Sequence, residues 1–175
     1  MRRLVYLPFL LAIAATGCDD SPIEPSPDTI PTFTAALTPA NEVPPVTSVE
    51  SVCSGNVTIR VTNLTRNSSQ VITAAKVDFT GNVTGCAANT SINLGHIHEA
   101  AAGLNGNIVV DTGLAAGQFV LVTGAGSFAR TGRDPQGGDF TIIQRMLDNP
   151  GSFYFNLHST LHPNGVIRGQ LVRTQ

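Results

Sequence analysis

The chain has 175 residues, 42% of them hydrophobic, with 10 basic against 12 acidic side chains. A net charge of −2 with no Lys/Arg cluster excludes a nucleic-acid binder held by phosphate contacts. The length suits one domain with a single core.

The N-terminus reads as an export signal. Arg2 and Arg3 are followed by an apolar run from Leu4 to Ala15 and by Ala15-Thr16-Gly17-Cys18, small residues directly before a cysteine. The run is shorter than the ~20 residues a membrane-crossing helix needs. The arrangement resembles a bacterial lipobox, in which the cysteine is lipidated and becomes the first residue of the mature protein. Residues 1–17 are therefore expected to be a signal peptide, with Cys18 as lipid anchor, a membrane as its partner, and the cell envelope as the location, on a periplasmic or outer surface. Cleavage leaves 158 residues with 8 basic against 12 acidic side chains, a charge of −4.

Residues 18–31 form a tether in this reading. Pro22, Pro25, Pro27 and Pro31 alternate with Asp19, Asp20, Glu24 and Asp28, which favours an extended, solvated spacer. The domain is expected over residues 32–175. Its strand candidates are Phe33 to Leu37, Val57 to Thr62, Val71 to Phe79, Ile92 to His98, Ile108 to Val110, Phe119 to Phe128, Phe153 to His158 and Val166 to Val172. About eight strands predict an all-β, two-sheet Greek-key sandwich. Between Asp139 and Asn149 the apolar residues Phe140, Ile142, Ile143, Met146 and Leu147 fall at helical spacing, which predicts one short helix capped by Asp139. With Cys18 lipidated, Cys53 and Cys86 remain as an even pair in an exported chain, so a disulfide is expected. The sequons at Asn56, Asn63, Asn67, Asn82 and Asn89 are read as solvent-facing turn and strand residues.

Three histidines carry the functional question. His96 and His98 share one strand face while Ile97 takes the other. Phe153, Phe155 and Leu157 form an apolar row, which leaves Tyr154, Asn156 and His158 on the opposite row. The segments Phe33-Thr34-Ala35-Ala36-Leu37 with Asn41-Glu42-Val43-Pro44-Pro45, His96-Ile97-His98 followed by Ala102 to Val110, and Asn156-Leu157-His158-Ser159 with Ile167-Arg168-Gly169-Gln170-Leu171 resemble, in order and spacing, the CHRD (chordin-type) domain family. The resemblance runs from about Phe33 to the C-terminus. It implies a secreted module, a repeat within a morphogen antagonist in animals and an exported protein in bacteria, with an unknown protein or small ligand as partner. One departure stands out: the family's Gly-Glu-Ile-Arg-Gly reads Gly165-Val166-Ile167-Arg168-Gly169 here, so a carboxylate is missing beside the histidines.

Two readings of the histidines follow. In the preferred one, neutral imidazoles hydrogen-bond to Glu42, Asn156 or Arg168 as a structural polar network, and the chain is a non-catalytic binding or structural module without a cofactor. In the alternative, His96, His98 and His158 bind zinc or copper, with metal-binding or redox activity. Copper/zinc superoxide dismutase is similar in outline, being also a β-sandwich with a His-x-His strand. His162, in a turn, is the candidate fourth ligand, and Glu99 and Asp111 read as isolated carboxylates in turns. Other catalysis finds no support. Ser159 faces away from adjacent His158, and the glycines at 103–106 lead into a strand, whereas a phosphate loop leads into a helix.

Overall fold

The computed structural model describes residues 29–175; the expected signal peptide, Cys18 and the tether as far as residue 28 lie outside the described residues. Among the described residues ten strands form: β1 (Thr32–Leu37), β2 (Ser54–Arg66), β3 (Ile72–Thr84), β4 (Thr90–Glu99), β5 (Asn107–Asp111), β6 (Phe119–Leu121), β7 (Gly126–Arg133), β8 (Phe153–Ser159), β9 (Ile167–Gln170) and β10 (Val172–Arg173). They pair antiparallel in two sheets. The first has the order β10, β1, β2, β3, β7; the second has β5, β4, β8, β9, with β6 also on β4. The two-sheet sandwich is the architecture expected.

Strand count differs from expectation at two places. Phe119 to Phe128 is not one strand, because Gly124 takes a φ of 79° in a turn and its amide donates to the Leu121 carbonyl. β6 then stays with the second sheet while β7 joins the first. Likewise Val166 to Val172 divides at Leu171, whose side chain is buried, so β9 closes one sheet and β10 edges the other.

Alternation builds the core. Phe33, Ala35 and Leu37 of β1, Val57, Ile59 and Val61 of β2, and Val77 and Phe79 of β3 point inward to meet Ile97 of β4 and Phe155 and Leu157 of β8. The Phe155 ring lies 5.7 Å from Phe79 and 6.2 Å from Phe128, which fixes that side of β8 against the first sheet. Each buried Val, Leu, Ile or Phe among them contributes about 1.5–3 kcal/mol. Helix α1 (Thr141–Asp148) buries Ile142, Ile143 and Met146. Asp139 Oδ1 accepts the Thr141 amide and hydroxyl, while Phe140 occupies the cap position itself, so the helix starts one residue later than expected. Arg145 on its outer face forms a two-pronged ion pair with Glu99 at the end of β4 (2.7 and 2.8 Å). Among the described residues no helix is long and apolar enough to cross a membrane.

Candidate functional site

Strand alternation places the three histidines on the outer face of the second sheet, and a β-bulge makes that possible. Ile92 pairs with Ser159 and Leu94 with His158, so Asn93 is an extra residue in β4. Without it, Ile92 and His96 would share a face. With it, Ile92 and Ile97 are both buried in the core while Leu94, His96 and His98 face outward. Across the sheet the outward rows are Leu94 beside His158; His96, Asn156, Arg168; and His98, Tyr154, Gln170.

This outer face is covered. His96, His98 and His158 are 4%, 8% and 7% exposed, and Tyr154, Asn156 and Arg168 are buried with them. Arg168 holds the cover down. Its Nε donates to the Asn41 carbonyl (2.6 Å) and its Nη1 to the Leu104 carbonyl (3.2 Å) and Asn105 Oδ1 (3.0 Å), which joins loops 39–45 and 100–106 over the sheet. The guanidinium lies 4.4 Å from the centre of the Tyr154 ring, which also stacks on His98 at 4.8 Å.

Backbone carbonyls fix the imidazole tautomers. His158 Nδ1 donates to the Pro163 carbonyl (2.9 Å) and His98 Nδ1 to the Gly106 carbonyl (3.0 Å). A carbonyl only accepts, so in the neutral rings both Nε2 atoms carry bare lone pairs. His96 Nδ1 then donates to His158 Nε2 (3.1 Å). His98 Nε2 is buried with no hydrogen-bond partner. Burial lowers all three pKa values. That of His96 falls to about 4, by burial first and then by the neighbouring His158, with Asp111 partly offsetting both.

The donor set fits a metal ion. One ring nitrogen from each histidine lies within 4.8 Å of the others. Nitrogens held about 2 Å from one tetrahedral ion stand roughly 3.3–3.5 Å apart. The His96–His158 pair at 3.1 Å is already close to that spacing, and His98 completes the group within 4.8 Å. The Gly106 and Pro163 carbonyls that accept from Nδ1 of His98 and His158 orient those rings as metal-ligating histidines are oriented.

The other expected site residues lie beside the cluster. Asn156 Nδ2 donates to Glu42 Oε2 (3.3 Å), and the histidines make no hydrogen bond to Glu42, Asn156 or Arg168. Glu42 is 5% exposed; burial pushes its pKa up to about 7 against the opposing pull of Arg168. Gly165, at a φ of 136°, leaves room for this pair: a Cβ there would stand 2.6 Å from both Asn156 Nδ2 and Glu42 Oε2. His162 is not with the other three. Its Nε2 bonds Ser48 Oγ (2.7 Å) and lies 3.9 Å from Glu50, on a cavity of about 430 Å³ that the three histidines do not line.

A family model for the CHRD domain matches residues 33–171. The chain belongs to the CHRD domain family. Comparisons with the curated proteins and with the solved structures returned no match. Three segments distant in the CHRD sequence converge here: the Asn41 to Pro45 turn, the His96 to Asn107 stretch, and the His158 and Arg168 strands. Val166, where the CHRD motif carries glutamate, is fully buried and apolar. Cys53 and Cys86 form the expected disulfide, with Cα atoms 4.4 Å apart.

Sequence reasoning misplaced two carboxylates and missed a third. Glu99 and Asp111 are not isolated in turns: Glu99 ends β4 against Arg145, and Asp111 ends β5 directly opposite His96, its Oδ1 3.9 Å from His96 Nε2. Glu50 is buried and accepts the Ser159 hydroxyl. The antiparallel register of β4 and β5 was the signal for Asp111.

Proposed function

We propose that this CHRD chain is an exported, lipid-tethered binding module, non-catalytic, that holds one copper or zinc ion on His96, His98 and His158. The unpartnered, buried Nε2 of His98 carries the reading. Four buried polar atoms of this layer have no hydrogen-bond partner, Glu42 Oε1, His98 Nε2, Asn156 Oδ1 and Arg168 Nη2, and of these His98 Nε2 belongs to a group of three imidazoles with ring nitrogens within 4.8 Å of one another, where a shared ion would match it. We take this reading over the metal-free network. Three imidazoles suit zinc and copper, with copper the tighter of the two for a given nitrogen site. Exposures of 4–8% favour holding an ion over offering it to a substrate.

Purification of the full-length chain without chelator should yield one copper or zinc per chain by elemental analysis, and His98→Ala should yield none. Stoichiometric copper or zinc should also raise the wild-type unfolding midpoint by mass action. Wild-type protein that takes up neither ion, with a midpoint indifferent to both, would return the histidines to a structural role. The tether is tested separately: Cys18→Ser should leave the membrane fraction, and undiminished membrane recovery would remove the anchor.

A further inference from the structure

We infer that Asp111 is a positioning residue for the metal centre, acting through His96 by selecting the tautomer that exposes its Nδ1 lone pair. The inference rests on the three-histidine reading. In the metal-free arrangement the His96 proton is on Nδ1, donated to His158 Nε2, and the bare Nε2 faces the Asp111 carboxylate across 3.9 Å. Two acceptors then oppose one another. Binding an ion reverses this: the Nδ1 proton leaves to solvent, Nε2 takes one up, and the ring stays neutral. Nε2–H now points at the carboxylate, and a bridging water or a slight tilt of the ring spans the gap.

His98 and His158 need no such change, since their Nδ1 protons are already committed to the Gly106 and Pro163 carbonyls. His96 is the one ligand of the three whose orientation lacks a backbone partner, and Asp111 stands where that partner would be. It cannot be a ligand itself in this geometry. It lies at the ring edge opposite the one that meets His158. Its own position is held by the Gly113 amide, which donates to Oδ1 at 2.7 Å. A carboxylate behind a ligating imidazole fixes the tautomer and raises ligand basicity, and its loss typically costs 10–100-fold in metal affinity.

Zinc titrations of the full-length wild type, Asp111→Asn and Asp111→Ala provide the test, together with nitrogen-15 spectra of the His96 ring. Asp111→Ala should weaken zinc binding roughly tenfold or more, with Asp111→Asn weakened less because the amide oxygen still accepts. Zinc-loaded wild type should show the His96 proton on Nε2. Equal zinc affinity in all three proteins, or zinc-loaded His96 protonated on Nδ1, overturns this inference and leaves the metal centre standing. A wild type that binds no zinc or copper overturns both.

Discussion

Glu42 shows how one buried carboxyl links the site to pH. Its folded pKa of about 7 lies above the ordinary value of 4.5, so between those limits the folded chain holds a proton that the unfolded chain releases. Its contribution to stability is present below about pH 4.5 and lost as pH rises through 7. The histidines run the other way. Their folded pKa values are lowered, so their contribution is present above about pH 6.5 and lost as pH falls, for His96 towards about 4. Three histidines outweigh one glutamate, and the metal-free protein should lose stability on acidification from pH 6.5 to 5. Glu42→Gln mimics the protonated carboxyl. Its denaturant midpoint should exceed that of wild type at pH 8, by up to ~3 kcal/mol in stability, and match it near pH 5. A difference independent of pH would show that Glu42 does not titrate on folding.

At the scale of elements, the site depends on where alternation holds and where it breaks. The rows of β8 were legible in the sequence because Phe153 to Ser159 alternates without interruption. β4 was legible only in part: His96 and His98 read correctly against Ile97, but the extra residue at Asn93 that reconciles them with Ile92 leaves no periodic signal. The loop cover was not legible, since Arg168 binds carbonyls at Asn41 and Leu104, and carbonyls carry no sequence identity. The disulfide acts on this scale too. Cys53 precedes β2 and Cys86 follows β3, just beyond the Ser54–Thr84 pair, so the bond closes the open end of the long hairpin. Reduction should lower the denaturant midpoint by an amount equivalent to roughly 3–4 kcal/mol, as chain entropy for a separation of 33 residues requires. An unchanged midpoint would mean that the sandwich alone fixes that end.

Taken whole, the molecule spends the inner faces of both sheets on an apolar core and one outer face on a buried polar layer. A sandwich needs only the first. The second, with its loops strapped down by Arg168, places three neutral imidazoles side by side and leaves His98 Nε2 among its unpartnered polar atoms. The central claim is that these rings share an ion, and X-ray absorption at the metal edge of the copper- or zinc-loaded full-length chain tests it most directly. The account predicts three nitrogen ligands at about 2.0–2.1 Å with the multiple scattering of imidazole rings, and no such shell in His98→Ala, which should retain no ion. A shell of oxygen ligands without imidazole scattering, or a spectrum unchanged by His98→Ala, would contradict it.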